Sequence, residues 1–295
     1  MTAGEDYRPI SAGMRIGSSG VSALRKKARG SLFILFAPRP FQPGPGDPGL
    51  FGPDSATWIV HGDVTVFLGA IRSLLVQAMH PEVVAGVMDH SHYDEDPLGR
   101  LRRTAEWVAQ VTYAPTPQAE AAITGLSAAH ARIIGVSERG RAYRASDPEL
   151  LAWVHNSMVE SFATAYRLYG PPHDPSLLDD YVAEMAALGA RLGATPGPLT
   201  LAELTAWISE HPDWDDSEGR RTTHTFLASP PLPFLFRSTY RVLWNGALAS
   251  VPKPLALLTP ATLPGAGLGA RAALAALRAV LGESYRVEEA RARLT

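Results

Sequence analysis

The sequence predicts an all-α protein, a single multi-helix globular domain enclosing a ligand pocket, preceded by an irregular N-terminal arm. Three observations carry this. Apolar residues recur at helical spacing over long stretches. An Asp or Thr directly before a Pro opens such a stretch three times, at Asp96-Pro97, Thr116-Pro117 and Asp147-Pro148. Strict apolar–polar alternation over the length of a strand occurs nowhere, and no internal repeat is visible. The arm is placed at residues 1–55 and the helical domain at 56–295.

The elements follow in order. Pro38, Pro40, Pro43, Pro45, Pro48 and Pro53 make the arm irregular. Within it Leu32, Phe33, Leu35 and Phe36 are expected to lie against the core, because they are costly to leave in water. Val66, Phe67, Ala70, Leu74, Gln77 and Ala78 predict a buried helix from about Asp63 to Met79. His80-Pro81 interrupts it, since the residue before a proline is disfavoured in the α region. Glu82 to Asp89 reads as a further helix. The three Asp/Thr-Pro signals predict helices from Pro97 to about Thr112, from Thr116 to about Val136, and from Pro148 to Tyr169, the last stopped by Gly170-Pro171-Pro172. Thr200 and Glu203 have capping-box spacing. Residues 234–249 and 269–281 complete the helices, and the run Pro233-Phe234-Leu235-Phe236 is expected to pack in the core rather than touch a membrane or partner.

Composition narrows the chemistry. Apolar residues make up 46% of the 295, enough for a sizeable core. A formal net charge of −2 lacks the basic excess of a nucleic-acid binder. Cysteine is absent, which excludes disulfides, thiolate metal sites, iron–sulfur clusters and thiol nucleophiles, and fits a reducing cytoplasm, where the protein is expected to reside. Lysine occurs only at Lys26, Lys27 and Lys253 while Arg, Ala, Gly and Pro abound, a balance expected from a GC-rich bacterial genome. Ser31 to Pro38 is too short for a signal or span, and no run of about 20 apolar residues predicts a transmembrane helix. No GxGxxG, Walker or G-x-S-x-G pattern supports nucleotide or α/β-hydrolase chemistry.

Four polar features remain. On the helix after Pro97, Arg100, Arg103, Thr104 and Trp107 share one face by their spacing. Two guanidiniums and a hydroxyl there suit a carboxylate or phosphate, and equally describe a solvated cationic face. His130 is bordered by Ser127, Ala128, Ala129 and Ala131, with Ile123, Leu126, Ile133 and Ile134 on its face. That leaves room for a flat ring beside an imidazole, and equally describes a hydrogen-bonded core histidine. Gln77, His80, His90 and His92 lack any familiar metal-ligand spacing. His155, near Trp153 and Met158, is the remaining buried histidine candidate.

Read in order the pieces gain meaning. Trp58 and Gly62-Asp63 are followed by Leu75-Val76-Gln77-Ala78-Met79-His80-Pro81, Val84-Ala85-Gly86-Val87 and His90-Ser91. Then come Asp96-Pro97-Leu98-Gly99-Arg100-Leu101, Arg103-Thr104, His130, Gly135, Tyr143-Arg144-Ala145-Ser146-Asp147-Pro148 and Leu151-Ala152-Trp153-Val154-His155. This order resembles the MpaB-type oxygenase family, also called the rubber oxygenase or latex-clearing protein catalytic domain family, from about Trp58 to Leu258 and most closely up to His155. The resemblance implies helices around one haem b. It implies His130 as the axial ligand of the iron, the buried His155 remaining the second candidate on the residue reading, and Arg100, Arg103 and Thr104 as the cofactor-binding and catalytic polar helix. It implies O₂ and an apolar, isoprenoid or other alkene-containing small molecule as substrates. Latex-clearing proteins carry a lysine at the position matching Arg103. Arginine does not readily give up its proton, so capping of the iron by that side chain does not carry over. Their glutamate base has no clear counterpart; Glu82 is only nearby. A haem carrier or sensor without turnover, and a helical hydrophobic-ligand binder without metal, are the competing readings.

Overall fold

The computed structural model describes residues 39–90 and 96–295, together with Gly30. Among these the fold is mostly helical, with one small hairpin. The elements are α1 (Ala56–Gly62), α2 (Thr65–Gln77), α3 (Pro81–His90), α4 (Pro97–Tyr113), α5 (Thr116–His130), β1 (Ile134–Val136), β2 (Ala142–Arg144) and α6 (Pro148–Tyr169), followed by α7 (Leu177–Leu192), α8 (Leu201–Glu210), α9 (Glu218–Ala228), α10 (Phe234–Ser250), α11 (Lys253–Ala256), α12 (Ala266–Leu281) and α13 (Tyr285–Leu294). No single described helix is long and apolar enough to cross a membrane.

The centre is the pair α2 and α6. Helix α6 is buried on nearly every side from Ala152 to Tyr166, as expected of a helix enclosed by others. The close approach needs Gly69, because a Cβ there would stand 2.7 Å from the Phe162 ring. Leu68, Leu75, Val76 and Trp153 fill this interface and are almost wholly buried. Across it, Arg72 of α2 and Glu160 of α6 form an ion pair with both side chains about 1% exposed. Its remaining polar atoms are occupied: Arg72 donates to Ser161 Oγ at 2.8 Å and to the Ser250 carbonyl, and Thr164 donates to Glu160 at 2.9 Å. Burying two charges costs several kcal/mol each, which only this degree of pairing offsets.

Helices α4 and α5 form a second, more open layer. Asp96 caps α4 as the sequence predicts, its carboxylate accepting from Gly99 N at 2.8 Å. At α5 the cap comes from elsewhere. Thr116 is the first helical residue rather than the cap, and Asp47 of the arm accepts from both its N–H (2.9 Å) and its hydroxyl (2.8 Å). Asp147 makes no side-chain cap on α6, whereas Thr200 and Glu203 form the full capping box on α8.

Other expectations need correction. Helix α5 ends at His130, not Val136. The chain then turns into an antiparallel hairpin with Gly135 opposite Tyr143. Each strand is three residues long, too short for alternation to register. Gly140 supplies the turn at φ +73°. The pattern also did not mark α1, α7, α9, α11 or α13. Residues 39–55 are irregular but fastened down: Phe41 N donates to Glu289, and Arg293 donates to the carbonyls of Asp47 and Tyr113. Leu32, Phe33, Leu35 and Phe36 lie outside the described residues. The run at Pro233 is not core: Phe234 is 87% and Leu235 67% exposed.

Candidate functional site

The α4–α5 pair carries the predicted residues, Arg100, Arg103 and Thr104 on α4 and His130 at the end of α5. Trp107 Nε1 donates to the Ala122 carbonyl at 3.0 Å and locks the antiparallel pair. Arg100 lies seven residues before that contact and His130 eight residues after it. At about 1.5 Å per residue both stand at nearly the same height along the pair. Arg103 is 65% exposed, with NH1 3.4 Å from Asp96. Thr104 is exposed and its hydroxyl donates to the Arg100 carbonyl at 3.2 Å. Arg100 is half-buried.

His130 is half-buried and makes no side-chain hydrogen bond among the described residues. Its burial lowers its pKa, so the imidazole is neutral near pH 7. Ile123 lies buried on α5, Leu126 and Ile133 are half-buried, and Ser127, Ala128, Ala129 and Ala131 are exposed. Beyond them Ile134 and Val136 of β1 are also exposed. The enclosed apolar lining expected around His130 is therefore an open apolar shelf. The chemistry of this set fits haem: a neutral imidazole for iron, small and apolar side chains for the macrocycle, and arginines for its propionates.

His155 is different. Its Nε2 donates to the Met185 carbonyl at 2.7 Å, and Gly189 lies against the ring so closely that a Cβ would stand 2.8 Å from it. Burial holds its pKa down to about 4. It joins α6 to α7 and leaves no room beside that nitrogen for iron. Of the other polar group, Gln77 donates to Ser73 and to the Val154 carbonyl, and His90 donates to the Ile134 carbonyl at 3.0 Å. His92 lies outside the described residues.

His80 joins a cluster that the sequence did not mark. His80, His211 and Asp213 offer ligand atoms all within 4.8 Å of one another. Two imidazoles and a carboxylate suit a divalent transition metal. Burial lowers the pKa of both histidines, that of His80 to about 4. His80 Nδ1 lies 3.3 Å from Glu82 but makes no hydrogen bond. Counter-charges are already present: Arg141 donates to Asp213 at 2.7 Å, and Arg139 donates to Glu82 at 2.7 Å. The cluster thus reads as a balanced network joining α3, the hairpin and the segment after α8. It escaped the sequence reading because His211 and Asp213 stand far from His80 in the chain and outside any metal-ligand spacing.

One comparison with known proteins bears on the chain as a whole. The chain belongs to the family described as ER-bound oxygenase mpaB/B′/rubber oxygenase, catalytic domain, whose family model matches residues 58–293. Its role is accordingly that of an oxygenase, with O₂ and an organic substrate. No curated protein and no solved structure matches it.

Proposed function

We propose that the protein is a haem b-dependent oxygenase acting with O₂ on an apolar, isoprenoid or other alkene-containing substrate, with His130 as the axial ligand. The observation that carries this is His130 itself. It is a neutral imidazole without a hydrogen-bond partner among the described residues, set on an exposed apolar shelf level with Arg100. Bound there, haem would supply the iron at which O₂ is activated.

The chain's own residues do the rest. Arg100 and Arg103 neutralise propionate carboxylates or developing negative charge, and act only as donors because guanidinium keeps its proton. Thr104, whose hydroxyl donates to the Arg100 carbonyl, would supply a hydroxyl donor on the same helix. Ala128, Ile134 and Val136, exposed on the shelf, offer an apolar substrate a surface to lie against. A haem carrier or sensor is the second reading. It is favoured by the state of Glu82, which lies only nearby where the family's glutamate base is sought. Burial raises the pKa of Glu82, but hydrogen bonds from Arg139 and Ser137 outweigh that and hold it below the usual range. A carboxylate held that way is a weak base.

The test is the visible spectrum of protein expressed with ample haem supply. A Soret band with matching iron is expected, lost in His130→Ala and kept in His155→Ala. Protein with neither band nor iron sinks the haem reading. Oxygen uptake with a panel of alkenes then separates the oxygenase from the carrier.

A further inference from the structure

The exposed end of α10 has no place in that chemistry. Helix α10 presents one continuous exposed face through Phe234, Leu235, Arg237, Ser238, Arg241 and Val242. Phe234 and Leu235 are the first two residues of the helix. The face continues onto α12, where a Cβ at Gly269 would stand 3.7 Å from Val242 and Leu268 is 75% exposed. Large apolar side chains grouped this way on a water-facing surface mark a docking site.

Charge says what docks. Between Glu218 and Glu283 the sequence contains no Asp or Glu. The same stretch holds Arg237, Arg241, Lys253 and Arg271, all exposed and without an ion pair among the described residues. Arg237 and Arg241 also line a cavity of about 270 Å³ with Pro230, Pro231 and Tyr240, and Arg237 stands one helical turn along α10 from Phe234. Arg237 uses Nε to donate to the Leu232 carbonyl at 2.9 Å, and its terminal nitrogens have no partner among the described residues. Two such guanidiniums, one helical turn apart in a depression, suit a phosphate group. An apolar tip beside them suits the acyl chains that the phosphate carries in a lipid.

We propose that this face docks the protein on anionic phospholipid bilayers. Phe234 and Leu235 enter the acyl boundary while Arg237 and Arg241 take a headgroup phosphate. The arrangement lies on the outer face of α10 and α12 and makes no use of His130, so it stands whether or not haem binds.

The experiment is flotation of the full chain with vesicles of phosphatidylcholine alone and of phosphatidylcholine with phosphatidylserine in equal parts. The protein is expected to float with the anionic vesicles only and to be released by high salt, because surface charges attract within a Debye length. Phe234→Ser/Leu235→Ser and Arg237→Gln/Arg241→Gln should each lower the partition coefficient by roughly tenfold or more. All four side chains are exposed or line the open cavity, so unchanged circular dichroism and melting confirm that the variants fold. Wild-type protein that stays unbound at low salt overturns the proposal, as does Phe234→Ser/Leu235→Ser floating like wild type. Light scattering that shows a wild-type dimer dispersed by Phe234→Ser/Leu235→Ser also overturns it, by assigning the face to a second copy. Arginine variants that lose binding of inorganic phosphate but float normally overturn the headgroup assignment.

Discussion

The α2–α6 centre and the open end of α4–α5 treat polar side chains in opposite ways. In the centre every charge has been answered from within: Arg72 and Glu160 bond to each other and to Ser161, Thr164 and the Ser250 carbonyl. Among the described residues at the α4–α5 end, His130 has no hydrogen bond, Thr104 falls back on its own helix, and Arg103 reaches only the cap residue Asp96. A buried polar group without a partner costs free energy, so a core closes its network. A surface can leave its groups open for something that arrives later. The difference separates residues that hold the fold from residues available for chemistry.

Breaking the closed region should have the largest effect. Glu160→Ala leaves a buried guanidinium uncompensated and is expected to cost about 3–5 kcal/mol in urea unfolding. A loss under about 1 kcal/mol would mean that the interior is wetter than its burial implies. Acid should come next. Burial holds His61 down to about 3, and His80, His155 and His224 down to about 4, against 6.5 when exposed. The folded pKa values are depressed, so near pH 5 the unfolded chain binds more protons. Stability should therefore fall as pH drops from 6.5 toward 4. The slope approaches about 1.4 kcal/mol per pH unit for each of these histidines. A flat profile across that window would place charged or exposed histidines where the structure has neutral buried ones.

Smaller effects sharpen the contrast. Thr200→Ala removes the side-chain half of the α8 capping box and should cost about 1 kcal/mol by thermal or denaturant melt. Arg103→Gln and Thr104→Ala should change stability by less than about 0.5 kcal/mol, while lowering oxygen uptake by the haem-loaded protein. A large loss of stability in either would make them structural residues and remove the contrast at its open end.

The helices most visible in the sequence were those with a local punctuation mark. Asp96-Pro97, the Thr200/Glu203 pair and the Gly170-Pro171-Pro172 stop each act within a few residues of where they stand. What was hidden depends on partners distant in the chain. Thr116 looks like a cap, but the capping carboxylate belongs to Asp47. The β-hairpin is too short to show a period. The Phe234–Phe236 run looks like core from composition, and only its position at the head of α10 leaves Phe234 and Leu235 in water. Site residues behaved likewise. Arg100, Arg103 and Thr104 were readable because one helix carries them all, and the match in height of Arg100 to His130 follows from a single α4–α5 turn. The partnership of His80 with His211 and Asp213 joins segments about 130 residues apart, which no local spacing records.

The fastening of the arm bears on how the protein is made. Asp47 sets the start of α5, and Arg293 of α13 in turn holds the Asp47 carbonyl and the end of α4 through the Tyr113 carbonyl, 180 residues earlier. As the chain leaves the ribosome, α4 and α5 emerge long before α13 can clasp their turn. The α4–α5 pair that carries His130 is therefore expected to gain this clasp last, when α13 closes over Asp47. Cofactor loading by a nascent chain would meet a loose shelf. Shortening α13 ahead of Arg293 should leave a protein that folds around α2 and α6 yet holds its ligand poorly.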